Sequence, residues 1–275
     1  MPAPTPAVRT ARPRRYLMCR PTHFEVGYSI NPWMDPDKPV DNALAVAQWE
    51  RLREAFVRAG HTVELIDPIP GLPDMVYAAN GATVVDGKVL GACFRNRERV
   101  PEGPAYLTWF RTHGFDQVRE PRELNEGEGD YLTVGPLILA GHGFRSSTEG
   151  HREAEEYFGR RVIGLELIDP RYYHLDTALA VLDEGEIMYH PSAFAPQSRT
   201  LLRELFPDAL TVDAADAATF ALNIVSDGRN VFLPETAQTL ATRLRDRGFH
   251  PHPIDLSELR KGGGSIKCCT LELRP

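Results

Sequence analysis

Apolar and polar residues alternate along this chain with a period that changes several times. In the first clear helix pattern, Trp49, Leu52 and Phe56 share one face, while Asp41 can cap the start and Gly60 can end it. A helix of this kind buries one side and leaves the other in water. The pattern therefore predicts an amphipathic helix that packs on a neighbouring layer.

Strand patterns follow this helix. Residues 62–66 form an apolar, β-branched run, and two further runs at 82–85 and 88–91 flank Asp86-Gly87. Asp-Gly between apolar runs is a strong hairpin signal because both residues tolerate a positive φ. One helix, one strand and one hairpin therefore form the first unit of the chain.

The same unit recurs along the rest of the chain. Further helices are predicted at 106–113, 152–158, 198–206 and 237–247. The strands that follow the last three helices are predicted at 162–167, 210–212 and 251–256. Further hairpins are predicted at 131–134 with 137–140, 178–182 with 186–189, and 220–225 with 230–233. A repeat at a near-constant period indicates a radial or stacked architecture.

The two ends of the chain can complete each other. The last unit stops after a single strand pattern, 271–273, whose partner is missing. Residues 15–19 can supply that partner from the other terminus, which closes a ring and protects the strand edges. We therefore predict an α/β fold of five ββαβ-type units around a central pocket.

Polar residues stand at equivalent positions of these units. Each of these polar segments lies between the strand after a helix and the next hairpin or terminal strand. The segments are residues 74–80, 126–130 and 174–176 and Cys268. In a ring, equivalent positions converge on one axis. We therefore expect an acid, a His–acid pair and a thiol to meet in one central pocket.

The C-terminal segment carries the candidate nucleophile. Three glycines at 262–264 precede Cys268 and Cys269, and glycine allows a close approach of backbone to ligand. Cys268 and His174, on different elements, are the minimal set for thiol nucleophilic catalysis. Taken alone, adjacent cysteines near a C-terminus are more often inert, buried small side chains.

Composition narrows the function classes. The 275 residues carry a formal net charge of -7, so we expect no nucleic-acid partner. No apolar run is long enough to span a membrane, and the N-terminus has no signal-peptide core. Four cysteines form no disulfide framework, and no C-x-x-C or H-x-x-x-H pair indicates zinc. We therefore expect a cytoplasmic protein with no metal or cofactor, a disordered tail over residues 1–15, and one domain over residues 16–275.

Four motifs together resemble a known superfamily. They are His174-Leu175-Asp176-Thr177, the Glu-Gly-Glu-Gly-Asp of residues 126–130, Pro73-Asp74-Met75-Val76-Tyr77, and the Gly-rich segment that ends in Cys268. The combination is similar to the guanidino-group-modifying enzymes, which include arginine deiminase, dimethylarginine dimethylaminohydrolase, glycine amidinotransferase and succinylarginine dihydrolase. The resemblance implies the pentein fold, a five-bladed α/β propeller, which agrees with the five predicted units.

The resemblance also implies a role for each residue. Cys268 matches the thiolate that attacks the guanidinium carbon and forms a covalent thiouronium intermediate. His174 matches the general acid and base. Asp74 and Asp176 match carboxylates that bind the guanidinium and offset its charge.

Further site residues are less sharply defined by the resemblance. The acid loop is one residue longer than the usual Glu-x-Gly-Asp, so either Glu126 or Glu128 can be the catalytic acid, and Glu126 is favoured. Arg99 and Arg145 resemble arginines that bind a substrate carboxylate, and Arg145 is the better match. Cys269 is expected to point away from the pocket, because alternate residues of a strand face opposite sides.

Two asparagines depart from the pattern of deiminases and dimethylargininases. Asn80 stands where those enzymes carry a second guanidinium-binding Asp, and Asn31 lies in an Ile-Asn-Pro-Trp-Met segment. Both features resemble the catalytic module of arginine dihydrolases, which convert arginine to ornithine, CO2 and two ammonia molecules. An amide offers a donor and an acceptor, so it can hold the neutral ureido group of citrulline for a second attack. Asn31 can equally be a turn residue before Pro32.

The expected function is therefore that of an arginine dihydrolase acting on a small guanidino substrate. A dimethylargininase, which releases dimethylamine and citrulline from dimethylarginine, is the second hypothesis. An amidinotransferase and a non-catalytic propeller that binds a partner are further alternatives. The sequence leaves the oligomeric state open, a homo-oligomer included.

Overall fold

The computed structural model describes residues 8–275. Its strands are β1 Arg15–Cys19, β2 Thr62–Ile66, β3 Ala82–Val85, β4 Lys88–Gly91, β5 Gln117–Arg119, β6 Tyr131–Val134, β7 Leu137–His142, β8 Val162–Glu166, β9 Leu179–Asp183, β10 Glu186–Tyr189, β11 Leu210–Thr211, β12 Val225–Ser226, β13 Asn230–Pro234, β14 His250–Ile254 and β15 Leu271–Glu272. Its α-helices are α1 Asn42–Arg58, α2 Glu102–Thr112, α3 Thr148–Phe158, α4 Leu175–Ala178, α5 Pro196–Leu205, α6 Ala214–Ala217, α7 Gln238–Asp246 and α8 Ser257–Arg260.

The strands form five sheets of three strands each. In four sheets a hairpin is followed by a helix and then by the third strand, as in β3, β4, α2 and β5. The middle strand pairs antiparallel with its hairpin partner and parallel with the strand after the helix. This order confirms the predicted ββαβ unit.

The fifth sheet joins the two ends of the described chain. Strand β1 pairs antiparallel with β15, with Tyr16 opposite Glu272, and pairs parallel with β2. The predicted closure through residues 15–19 is confirmed. Neighbouring sheets contact each other through the strand that pairs antiparallel with the middle strand of each sheet. Strand β15 contacts β3, and β9 contacts both β6 and β12. The fold is therefore the predicted five-bladed α/β propeller.

Local signals determine where the helices begin and end. The Asp41 side chain accepts from the backbone N–H of Leu44 and caps α1, and Ser147 caps α3 in the same way. Helix α3 ends at Gly159, whose φ of 67° lies in the left-handed region. Trp49 on α1 is fully buried, as its place on the apolar face predicts. None of the helices in residues 8–275 is both long and apolar enough to cross a membrane.

One predicted strand is mostly a turn. The sequence predicts a strand over residues 220–225, but β12 contains only Val225 and Ser226. Phe220 has a φ of 61°, and its carbonyl accepts from the backbone N–H of Asn223 at 2.9 Å. The run resembles a strand because its apolar side chains are buried. The backbone turns instead because the Asn223 side chain hydrogen-bonds to two neighbouring loops.

The N-terminal segment packs on the propeller from Arg9 onwards. The predicted tail over residues 1–15 falls partly outside the described residues, which begin at residue 8. The Arg9 guanidinium lies 3.9 Å from the centre of the Phe249 ring, and Arg12 donates its backbone N–H to the carbonyl of Asp227. This part differs from the prediction of disorder because Arg9 and Arg12 find partners beside the β12–β14 sheet and also pair with Glu186 of β10 and Asp183 of β9.

Candidate active site

The four polar loops meet in one buried cluster. His174 Nε2 lies 2.7 Å from a Glu126 carboxylate oxygen, and Cys268 Sγ lies 3.2 Å from an Asp176 oxygen. The Asn80 amide donates to the backbone carbonyl of Glu126 at 3.3 Å. All five residues are at most 2% exposed. The structure therefore brings together the acid, the His–acid pair and the thiol that the sequence predicts.

The Cys268 thiol lies between a carboxylate and an amide. Its Sγ is 3.2 Å from Asp176 Oδ2 and 3.1 Å from Asn223 Nδ2. Burial, and then the charge of Asp176, raise the pKa of the Cys268 thiol well above its usual range. Burial also raises the pKa of Asp176 to about 7. Without a bound cation, the thiol therefore keeps its proton at neutral pH and donates it to Asp176.

His174 is oriented by Glu126. A carboxylate can only accept a hydrogen bond, so the short contact places the proton of His174 on Nε2. Burial raises the pKa of Glu126, but Arg145 at 2.9 Å and His174 outweigh burial and hold that pKa well below its usual range. Glu126 is therefore a fixed anion. The other ring nitrogen, Nδ1, has no partner in the described chain and is available for proton transfer.

Glu128 faces away from His174. It pairs with Lys267 at 2.6 Å and with Arg274. Both cations also line a cavity of about 1030 Å³ that lies on that side of the acid loop. Burial opposes these cations, but they outweigh it and lower the pKa of Glu128. Of the two acids that the sequence leaves open, the structure thus places Glu126, and not Glu128, beside His174.

Three polar atoms of the cluster are buried without a hydrogen-bond partner in residues 8–275, namely Asp74 Oδ1, Asp176 Oδ1 and His174 Nδ1. The second oxygen of Asp74 accepts from the Tyr28 hydroxyl at 2.9 Å. Burial raises the pKa of Asp74 above its usual value. Buried acceptors are costly when they are unpaired, so the site is suited to a ligand that donates to both carboxylates. A planar guanidinium supplies several donors and the matching charge.

Arg99 lies in the wall of the site. It is 3% exposed, forms a bidentate ion pair with Glu102, and donates to Asn80 Oδ1 at 2.7 Å. It also donates to the backbone carbonyl of Asp74 at 3.2 Å. These contacts hold Asn80 in place. Direct binding of a substrate carboxylate by Arg99 stays a prediction.

Arg145 connects the acid loop to the loop before α1. It donates to Glu126 at 2.9 Å and to the backbone carbonyl of Ile30 at 2.8 Å. Its guanidinium stacks on the Tyr173 ring at 4.7 Å. Arg145 thus keeps Glu126 ionised and oriented toward His174. Its contact with a substrate carboxylate stays a prediction.

Asn31 adopts the turn geometry that the sequence left open. Its Oδ1 accepts from the backbone N–H of Trp33 at 2.9 Å, and its amide donates to the carbonyl of Gly262 at 3.1 Å. A side chain on the next glycine, Gly263, would come within 2.6 Å of the Asn31 amide. Asn31 therefore holds its loop against the glycine segment that leads to Cys268. A contact between Asn31 and substrate stays a prediction.

Cys268 and Cys269 lie in a turn that precedes the last strand. Strand β15 begins at Leu271, and Cys269 donates its backbone N–H to the carbonyl of Ser265 at 3.1 Å. The expected reason for their different directions, alternation along a strand, is therefore wrong. Cys269 is fully buried in an apolar cluster, and burial raises its pKa. The turn nevertheless leaves only the Cys268 sulfur, within residues 8–275, hydrogen-bonded to a carboxylate.

Two further site residues, Asn223 and Gly129, are not predicted from the sequence. Asn223 contacts the thiol, although it lies in an apolar run that resembles a strand. A Cβ at Gly129 would lie 2.2 Å from the Asn80 amide nitrogen and 3.3 Å from the His174 ring, so only glycine allows this close approach. The signal for Asn223 is the single amide among Ala, Leu, Ile and Val, which marks a buried polar group that needs partners.

Comparison with known proteins places the chain in a family. No family model matches it. It is 53% identical over 271 residues to a dimethylarginine dimethylaminohydrolase of Mycobacterium tuberculosis, covering 98% of this chain and 89% of that protein. It is 36% identical over 265 residues to the bifunctional arginine dihydrolase/ornithine cyclodeaminase ArgZ of a Synechocystis species, covering 94% of this chain. The match spans 37% of the length of ArgZ.

Solved structures of an arginine dihydrolase and of a dimethylarginine dimethylaminohydrolase have the same fold as this chain. The N-terminal domain of ArgZ, a cyanobacterial arginine dihydrolase, bound to substrate, matches with a TM-score of 0.90 at 35% identity, covering 95% of this chain and 98% of that domain. A dimethylarginine dimethylaminohydrolase structure shares the fold, with a TM-score of 0.76 at 19% identity and coverage of 95% of this chain. The chain therefore belongs to the pentein family of guanidino-modifying enzymes that contains the dimethylarginine dimethylaminohydrolases and the arginine dihydrolases.

Proposed function

We propose that this protein is a cysteine-dependent hydrolase that attacks the guanidinium carbon of free arginine and converts arginine to ornithine, CO2 and two ammonia molecules. One observation carries the proposal. The Cys268 thiol lies against Asp176, and three buried side chains of the same cluster, Asp74, Asp176 and His174, each keep a polar atom with no partner in residues 8–275. This set binds a planar cation, supplies a nucleophile and moves a proton.

The first half-reaction forms the covalent intermediate. A guanidinium that binds between Asp74 and Asp176 stabilises both carboxylates and the thiolate, so it offsets the burial that keeps Cys268 protonated. The thiolate then forms a bond to the guanidinium carbon, and His174 delivers the thiol proton to the leaving nitrogen. Ammonia leaves, and Cys268 carries a cationic thiouronium group.

The second half-reaction uses water. His174 takes a proton from water, the oxygen bonds to the thiouronium carbon, and the carbon–sulfur bond breaks. The products are citrulline and the regenerated thiol, with one proton released. Glu126 keeps the imidazole oriented in both halves.

Asn80 distinguishes a dihydrolase from an enzyme that stops at citrulline. Its Oδ1 is occupied by Arg99, and one amide N–H points to the carbonyl of Glu126, so a second N–H remains to donate. A donor suits the neutral ureido oxygen of citrulline, whereas a carboxylate would repel it. A second attack by Cys268 then expels the second ammonia, and hydrolysis of the resulting thiocarbamate yields CO2 and ornithine. A solved structure of the ArgZ domain with an asparagine-to-serine change holds a covalent intermediate, which fits an asparagine acting after the first attack.

Dimethylargininase activity is the second candidate, and the 53% identity to the mycobacterial dimethylarginine dimethylaminohydrolase favours it. The two hypotheses share the thiol, the histidine and the carboxylates, and they differ in the leaving group and the final product. Incubation of the purified protein with arginine, citrulline and dimethylarginine, with products resolved by mass, separates them. Ornithine from arginine supports the dihydrolase. Dimethylamine from dimethylarginine, with no ornithine from arginine, supports the dimethylargininase.

We predict that Asn80→Asp changes the product from ornithine to citrulline. The first attack should survive because Asp still matches a cation. The second should fail because Asp, although paired with Arg99, lacks the amide N–H that holds the neutral ureido oxygen of citrulline. The measurement is ammonia released per arginine, expected to fall from two to one.

Asn42→Asp makes the same chemical change at the first position of α1, outside the site, and is the matched control. It should keep the wild-type stoichiometry. Ornithine formation by Asn80→Asp at the wild-type rate would show that the amide is not what retains citrulline.

We predict that affinity for a guanidinium ligand rises with pH up to about 7. The pKa of Asp176 is raised to about 7 by burial in the free protein, and a bound cation lowers it. The complex then holds fewer protons than the free protein, so affinity increases as pH rises through about 5 to 7 and levels off above. Arginine binding to the Cys268→Ser variant, measured by calorimetry in buffers of different ionisation enthalpy, should release a proton at pH 6.

Two variants identify the group that releases this proton. Asp176→Asn should abolish the release. Asp130→Asn should leave it, because Asp130, whose pKa burial raises to about 6, is hydrogen-bonded to Ser146 and to the backbone of Leu175. Release that persists in Asp176→Asn would assign the titration to another group.

A further inference from the structure

Asn223 holds the candidate nucleophile from two sides. Its Oδ1 accepts from the backbone N–H of Ser265 at 3.2 Å and of Cys268 at 3.1 Å. Its Nδ2 donates to Cys268 Sγ at 3.1 Å and to the backbone carbonyl of Asp176 at 3.2 Å. Asn223 is fully buried. Because both groups at Oδ1 are donors, the amide can face only one way, and an N–H must point to the sulfur.

We propose that Asn223 positions Cys268 and stabilises its thiolate during the attack. A thiolate only accepts, so the N–H···S contact becomes a charge-assisted hydrogen bond when the proton leaves. The Asp176 carboxylate at the other side of the sulfur acts in the opposite direction, since its charge favours the protonated thiol. In residues 8–275, Asn223 supplies the side-chain N–H at this sulfur. This inference deepens the proposed function, because it takes Cys268 as the nucleophile.

The backbone around Asn223 keeps its side-chain amide directed at the Cys268 sulfur. Phe220, with its φ of 61°, accepts from the Asn223 N–H through its carbonyl, and its ring packs on Trp33 with centroids 4.6 Å apart. A non-glycine residue stays in the left-handed region only where its surroundings hold it there. The strained turn therefore carries the amide to the thiol, and the Trp33 loop supports the turn.

Alkylation of Cys268 tests the proposal without any substrate. The rate of reaction with iodoacetamide is measured from pH 6 to 10, and the adduct is located by peptide mass spectrometry. In Asn223→Ala the profile should move to higher pH, and the rate at pH 8 should fall about tenfold, the scale of one lost hydrogen bond to a charged group. Asn223→Asp keeps an acceptor for the two backbone N–H groups but lacks the donor, so it should shift in the same direction.

Thr270→Val is the matched control. The Thr270 hydroxyl donates to the carbonyl of Ile266 at 2.8 Å, within the same turn but away from the sulfur, so its loss should leave the profile unchanged. A wild-type profile in Asn223→Asp would overturn the proposal and leave Asn223 a purely structural anchor. If Asn223→Ala does not fold, Asn223→Asp decides alone. Because alkylation needs no turnover, a wild type that alkylates normally but ignores arginine would refute the proposed function and not this one.

Discussion

Replacement of Cys268 by serine is expected to abolish turnover and every covalent adduct with substrate. A serine hydroxyl keeps its proton far more strongly than a thiol, and the buried site beside Asp176 disfavours a further anion. The loss should reduce activity to the background of the assay. The measurement is steady-state turnover together with intact-protein mass after rapid quenching, which detects an arginine-derived adduct on the wild type.

Cys269→Ser is the matched control, because it makes the same atomic change one residue away. Cys269 lies in an apolar cluster, so the variant should lose some thermal stability and keep most of its activity and its adduct. The opposite result, in which Cys269→Ser is inactive and Cys268→Ser is active, would exchange the two assignments.

His174→Ala is expected to fold and to lose roughly two to four orders of magnitude in kcat/KM, the range for removal of a general acid and base. Both half-reactions need a proton at or from Nδ1, so the variant cannot protonate the leaving nitrogen or activate water. Glu126 stays paired with Arg145 in the variant, so the change leaves no isolated buried charge. Stopped-flow and steady-state rates with arginine measure the loss.

His151→Ala controls for the removal of a buried imidazole. His151 is 7% exposed, and its Nε2 contacts the carbonyl of Gly141 at 3.0 Å, outside the site. This variant should show a lower melting temperature with a nearly unchanged rate per folded molecule. A near-normal rate in His174→Ala would refute the assignment of His174 as the proton-transfer residue.

Much of the fold follows from local signals. Asp86-Gly87 between apolar runs marks a hairpin because Asp86 and Gly87 both have a positive φ in the structure. Asp41 marks the start of α1 because its side chain satisfies a free backbone N–H. The unpaired strand patterns at the two termini predict the closing sheet of β15, β1 and β2, because an isolated strand needs a partner.

The candidate site is only partly predictable from local sequence signals. The sequence places the polar loops at equivalent positions of a repeat, and the structure pairs His174 with Glu126 and the Cys268 thiol with Asp176. The apolar run before β12 is wrongly predicted as a strand, because Phe220 and its neighbours are apolar and buried as strand residues are. The backbone instead turns and directs the Asn223 side chain at the thiol. Local pattern and functional requirement conflict at this segment, as is expected at a functional site.

The sequence by itself determined the repeated unit, the closure of the ring and the loops that carry the chemistry, because periodicity, caps and turns are local properties. Only the tertiary structure decided that Glu126 faces His174 while Glu128 pairs with Lys267, and that Arg99 and Asn223 hold Asn80 and Cys268. These contacts depend on partners from other blades. Glu126 and His174, for example, are 48 residues apart in the chain. The direction of a buried polar side chain is set by the partner that satisfies it, and only the folded chain supplies that partner.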